Sequence, residues 1–328
     1  MSRPTRKSAE TSAKPEHAPS GEPKSSEIPN AATPQPSTPF FWIPFVAQNS
    51  EDAILQAVRV ASAQLVSEAG EPISRYKVVA LFDADGSIGT FEADRIFTAL
   101  TRMDGSTQED VLLVLLSRGG SVEPAYQISK LCRSHAPGTF SVAVPRQAKS
   151  AATLIAIGAD QIHMGPLSHL GPIDPQLGGL PALGVVQALE SIAALAEKFP
   201  GSADMLSRYL RMVLTVEQIG YCQRISESAM QYAERLLSTK PSLKSRAKEI
   251  ARELVYEYKD HGFVIDADEA RAHLGEEWIL LDSPEARFAE KLYRLYEEVN
   301  LGLRLLKNSR LLLVGEVTSD FMILKATT

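Results

Sequence analysis

Between residues 77 and 165 near-continuous apolar runs alternate with helix-forming segments, and this alternation leaves few folds open. KVVALFD (77–83), DVLLVLLS (110–117), TFSVAVP (139–145) and the short QIHMG (161–165) read as strands. A strand that is apolar on both faces must be covered on both faces, which is the condition of a parallel sheet between helical layers. The intervening segments supply the helices. EADRIFTALTRM (92–103) has apolar residues at helical spacing, VEPAYQISKLCRSH (122–135) carries Pro124 in its first turn, and SAATLIAIGA (150–159) is short and wholly apolar. The predicted class is α/β.

The ends of the chain differ from this middle. Residues 1–38 are rich in Pro, Ser, Ala, Glu and Lys and lack aromatics, so they read as a disordered tail. Apolar density jumps at FFWIPFV (40–46). The expected organisation is therefore a tail (1–38), an α/β core (39–181) and a helical part (182–328) that completes the core and offers a surface for self-association. Within the last part, 182–199, 202–238 and 241–260 read as helices. In HGFVIDADEARAHLG (261–275), Asp266 can cap a helix that stops at Gly275. The tail RLLLVGEVTSDFMIL reads equally as a late strand pair or as a dimer contact.

Composition excludes several classes. With 328 residues, 44% of them hydrophobic, the chain can bury a sizeable core, and a net charge of −6 argues against nucleic acid as a partner. No window has the apolar length of a membrane span, and the basic N-terminus has no apolar run behind it. The two cysteines, Cys132 and Cys222, lie far apart and read as reduced, packed thiols. The histidines are scattered without metal-ligand spacing, so no metal or organic cofactor is implied. A cytoplasmic protein is the expectation.

Chemistry is concentrated in three loops that follow strand C-termini, the edge where open parallel sheets bind ligands. SRGGSV (117–122) contains Gly119 and Gly120, which let backbone N–H groups face a cleft without side-chain obstruction. That suits an oxyanion hole, although a plain turn would also use them. PRQAKSA (145–151) places Ser150 at a helix start, as a cap or as a nucleophile, with the Ala151 N–H as a further donor. GPLSHLGPIDPQLGG (165–179) is the third loop. Asp174, between two prolines, reads as a turn cap beneath the groove.

LLSRGGSVEPAYQIS (115–129), VPRQAKSAATLIAIGADQIHMG (144–165) and LSHLGPIDPQ (167–176) together resemble the Clp protease/crotonase superfamily. Within it they are most similar to the serine dehydrogenase proteinase family, related to signal peptide peptidase A and to the proteolytic subunit of Clp protease. The resemblance covers about 75–180 and implies a parallel sheet of repeated ββα-type units with an additional helical C-terminal part. It implies a serine peptidase with Ser150 as nucleophile, and an oxyanion hole from Gly119 or Gly120 with Ala151. The substrate would be a peptide or unfolded protein, and the enzyme a homo-oligomer.

The base stays open. Lys198 lies at the separation from the serine found in signal peptide peptidases, and burial would have to lower its pKa. His261, preceded by Asp260, and His169 are the other candidates. The position of the Clp histidine falls near Ile173 and Asp174, so a Ser-His-Asp triad in that order is unsupported. Lys149 adjoins the serine, and neighbouring side chains diverge. Two other readings compete on the same fold, an acyl-CoA hydratase or thioesterase and a non-catalytic assembly or sensor protein.

Overall fold

The computed structural model describes residues 41–325, apart from 84, 178 and 179. The reading of residues 1–38 as a disordered tail lies outside the described residues. Helices α1 (Trp42–Gln48), α2 (Glu51–Ala69) and α3 (Glu71–Ser74) lead into β1 (Tyr76–Asp83). Then come α4 (Thr90–Arg102), β2 (Asp110–Ser117), α5 (Val122–Ser134), β3 (Phe140–Val144), the two-residue β4 (Gln147–Ala148), α6 (Ala151–Ile157) and β5 (Gln161–Met164). Short strands β6 (His169–Leu170), β7 (Gln176–Leu177) and β8 (Leu180–Pro181) precede α7 (Ala182–Lys198), α8 (Ala203–Val213) and α9 (Val216–Leu237). The chain closes with α10 (Ala247–Arg252), a π-helical turn (Glu253–Glu257), α11 (Ala267–Leu274), β9 (Ile279–Leu281), α12 (Pro284–Lys307), β10 (Ser309–Glu316) and β11 (Phe321–Lys325).

The main sheet runs β11-β10-β1-β2-β3-β5-β9. The pairs β1–β2, β2–β3, β3–β5 and β5–β9 are parallel, whereas β10 joins β1 and β11 in antiparallel register. The last segment of the chain is thus a strand pair at one edge of the sheet.

Strand periodicity divides the core in two. From β2, Val111, Leu113 and Leu115 face one side, where they pack with Ile96 of α4, Ile128 of α5, Ile155 of α6 and Ile250 of α10. Leu112, Val114 and Leu116 face the other side, with Trp42 of α1, Val58 of α2 and Leu292 of α12. Every residue of α6 is buried. Each of its Leu and Ile side chains contributes about 1.5–3 kcal/mol of burial, enough to seat this short helix against the sheet.

Two expected helices are interrupted. The stretch 202–238 divides because Leu214 is extended and Thr215 opens a new helix with a capping box. The Thr215 hydroxyl accepts from the Gln218 N–H at 3.2 Å, and the Gln218 side chain accepts from the Thr215 N–H at 2.9 Å. The stretch 241–260 begins as turns and becomes helical only at Ala247. Among the described residues no helix is long and apolar enough to cross a membrane.

Candidate active site

At the sheet edge three segments converge on a cleft of about 1050 Å³, lined among others by Gly119, Gly120, Lys149, Ser150, Tyr232 and His261. The first segment is the turn at Ser150. β2 hands the chain over through Ser117, whose carbonyl accepts the Lys149 N–H at 3.1 Å, and Ser117 pairs in register with Ala148. Ser150 then adopts φ 53° and ψ −120°. A non-glycine residue rarely occupies that region, and its presence on a strand-to-helix turn is how a serine hydroxyl is raised out of a sheet edge. Ser150 stands at the N-cap of α6, yet its side chain makes no capping hydrogen bond. The hydroxyl is therefore not spent on the helix.

Thr153 locks this turn from below. Its hydroxyl lies 2.7 Å from both the Ala148 and Gly171 carbonyls and accepts the Gly171 N–H at 3.2 Å. The residue is fully buried, so these contacts satisfy it without water.

The second segment is the glycine pair. Gly119 has φ 112° and Gly120 has φ 156°. A Cβ at Gly119 would stand 2.7 Å from both the Lys149 carbonyl and the Ser150 Cβ. Only glycine lets this strand end lie directly against the Ser150 turn. The Gly119 N–H donates to the Ser117 hydroxyl at 3.1 Å, and the Gly119 carbonyl accepts from Ile88 at 2.9 Å. The amides of Gly120 and Ala151 have no acceptor among the described residues.

The third segment is the turn at His261. Its Nδ1 lies 3.6 Å from the Asp174 Oδ2, beyond hydrogen-bond length. The His261 Nδ1 and the Asp174 Oδ1 are both buried without a hydrogen-bond partner among the described residues. Asp174 itself is buried, on the loop fixed by the Ile173 N–H to the Leu254 carbonyl at 2.8 Å. Chain reversal between Leu170 and Ile265 brings the two loops together, with bonds of 2.9 and 3.1 Å. Asp174, which the sequence reads as a turn cap, is a buried carboxylate facing the His261 ring. The signal available in the sequence was its position, near where the resemblance sets the Clp histidine.

The remaining candidates lie apart. Lys198 is exposed at the C-terminal end of α7, its Nζ 5.4 Å from the Phe199 ring, and it does not line the cleft. A lysine there is favoured by the helix dipole alone. His169 sits on β6 opposite Gln147, half-buried and outside the lining. Burial lowers its pKa, a hydrogen bond donated by the ring to the Leu167 backbone opposes that, and the Lys149 charge adds to the lowering. Among the described residues no cluster of three or more His, Cys, Asp or Glu is arranged to hold a metal.

Residues 88–297 match the family model of ClpP-like SDH-type serine proteinases. Two uncharacterized proteins of Methanocaldococcus jannaschii are similar over shorter stretches, 45% identical over 82 residues and 36% over 84. Each match takes in 25% of this chain and spans only 28% of the relative. Among solved structures, ClpP1 from Listeria monocytogenes is 14% identical, with 69% of this chain and 99% of that chain covered and a TM-score of 0.40. A variant of the 1510-N membrane-bound stomatin-specific protease in complex with a substrate peptide is 17% identical, with coverages of 77% and 89% and a TM-score of 0.42.

Proposed function

The chain belongs to the ClpP-like SDH-type serine proteinases, and from that premise we propose that it hydrolyses peptide bonds through a Ser150 acyl-enzyme, with His261 as the base. The observation that carries this is the uncommitted Ser150 hydroxyl on a positive-φ turn, beside two unspent amides, in a cleft that His261 also lines.

The roles follow from the geometry. Ser150 Oγ bonds to the scissile carbonyl carbon while its proton passes to His261 Nε2. The Gly120 and Ala151 N–H groups receive the oxyanion, because the Gly119 N–H is already held by Ser117. Collapse breaks the C–N bond, and the His261 proton leaves with the amine. Water then repeats the sequence on the acyl-enzyme. Asp174 holds the Nδ1–H of His261 and balances the imidazolium charge once their 3.6 Å gap closes. The chain order is Ser, Asp, His.

The substrate is an extended peptide or an unfolded segment. The strand end at Gly119-Gly120 offers it main-chain hydrogen bonds, and Tyr221, Ile225, Ser228 and Tyr232, a single stripe of α9, form the opposite wall. Incubation of wild type and Ser150→Ala with an unfolded protein, followed by mass spectrometry, tests the reading. Cleavage by wild type alone is expected, and equal cleavage by both removes Ser150 from the mechanism.

Self-association belongs to the same proposal. α8 has no buried residue, and Met205, Tyr209, Met212 and Val216 of the α8–α9 arm are exposed. A second copy of the chain covers this apolar face. Sedimentation of Met212→Asp/Val216→Asp is expected to show a smaller species than wild type, and an unchanged species counts against the interface.

A further inference from the structure

The turn that carries His261 is held loosely for a group that must meet Ser150 within a fraction of an ångström. Two of its bonds are internal, Gly262 N–H to the Asp260 Oδ1 at 2.9 Å and Phe263 N–H to the Asp260 carbonyl at 3.0 Å. Among the described residues, one hydrogen bond runs from the turn 260–263 to the nucleophile side. Lys149 Nζ donates to the Gly262 carbonyl at 2.8 Å. The stem of the same lysine lies flat on Gly171, where a Cβ would stand 2.9 Å from the Lys149 Cγ. Gly171 belongs to the segment that leads to Asp174. One side chain thus touches both loops that must come into register with the serine, and it starts from the residue immediately before that serine.

We propose that Lys149 is a positioning residue, whose ammonium on the Gly262 carbonyl holds the His261 turn in register with the Ser150 hydroxyl. The proposal rests on the peptidase reading above. It also gives the lysine beside the nucleophile a role other than base, since its Nζ is engaged across the cleft and not at the Ser150 hydroxyl. Its bond is to a backbone carbonyl, so a long cationic donor is needed at this place but no proton transfer. Arginine meets that need and methionine keeps only the stem.

The test uses the full chain as wild type, Lys149→Met and Lys149→Arg, with a fluorophosphonate probe for Ser150 and hydrogen exchange at the amides of 262–265. Lys149→Met is expected to slow labelling about 10- to 100-fold, the scale of a misplaced catalytic group. It should lower kcat on an unfolded protein while KM stays within about twofold, the pattern of a lost transition-state alignment. Exchange at 262–265 should quicken, the melting temperature should hold, and Lys149→Arg should recover most of the labelling rate. Unchanged exchange in Lys149→Met overturns the proposal, and so does a rise in KM alone, which would make Lys149 a substrate contact. A wild type that the probe fails to label sinks the peptidase reading, and the exchange data then decide by themselves whether Lys149 holds the turn.

Discussion

The two sides of the cleft are built by opposite means. On the nucleophile side, Gly119, Ser150 and Ala151 are buried, backed by the fully buried Thr153 and by α6, and closed against one another so tightly that a single added Cβ does not fit. On the other side Gly262, Phe263 and Val264 are exposed, and the turn is attached through a two-residue bridge and one lysine. The side that must present a strained serine is over-determined by packing, because strain persists only where the surroundings enforce it. The side that carries His261 is less closely packed, and its imidazole and the Asp174 carboxylate stand 3.6 Å apart.

Substitutions can break this contrast in order of size. His261→Gln should remove nearly as much kcat as Ser150→Ala, about 10⁶-fold, and Asp174→Asn about 10⁴-fold, as expected for groups that act as one unit. Single-turnover acylation measures both. If Asp174→Asn acylates at the wild-type rate, the carboxylate is outside the mechanism.

Gly119→Ala comes next. The φ of 112° and the 2.7 Å approach to the Lys149 carbonyl and Ser150 Cβ predict a loss of about 1–3 kcal/mol in stability. Labelling of Ser150 should fall about 100-fold with it. Denaturant unfolding and probe labelling read the two effects separately.

A pH effect should come from the opposite face of the sheet, where α12 packs. His163 on β5 is buried against Ser283 and Glu285, with bonds or contacts of 2.8 and 3.5 Å. Burial drives its pKa down to about 4, against the opposing pull of Glu285. The folded imidazole stays neutral where the unfolded one, with a pKa near 6.5, takes up a proton. Stability is therefore whole above pH 6.5 and declines as the pH falls toward 4, by at most about 3 kcal/mol. Thermal unfolding from pH 7 to 4 should show that slope in wild type and a shallower one in His163→Gln.

The smallest effect is expected from the same chemical change on the open side. At Gly262 an added Cβ would meet nothing nearer than 3.4 Å, so Gly262→Ala should stay within about 0.5 kcal/mol of wild type. Equal damage from Gly119→Ala and Gly262→Ala would erase the contrast between the two sides.

The rigid side is also the side that could be read from the sequence. DVLLVLLS coincides with β2, and SAATLIAIGA frames α6, because continuous apolar runs have one reading when both faces are covered. Gly119, Gly120 and Ser150 announce themselves through local backbone demands, and local demands survive in one dimension. The open side does not. Between Asp174 and His261 the chain makes its long excursion through α7, α8 and α9, and no periodicity tells where it returns. Sequence separation put Lys198 first among the bases, but that separation is spent along a helix that points the residue into solvent. The division of α8 from α9 was legible in Thr215-Val-Glu-Gln218, a capping box inside a run that otherwise keeps helical spacing. The edge pair β10–β11 reads ambiguously because its partner, β1, lies more than half a chain away.

The close approach of Gly119 to Ser150 bears on how such a chain can diversify. Positions that share one space cannot drift one at a time, so inherited variation at the glycine pair would need a simultaneous change in the nucleophile turn. The wall formed by Tyr221, Ile225 and Ser228 carries no such lock-step, since these side chains project from a helix whose buried stripe is a different one, whereas Tyr232 is held by its ring contact with Tyr126. New appetites in a lineage descended from this chain would be written on that helix face, while the chemistry across from it passed through the generations unaltered.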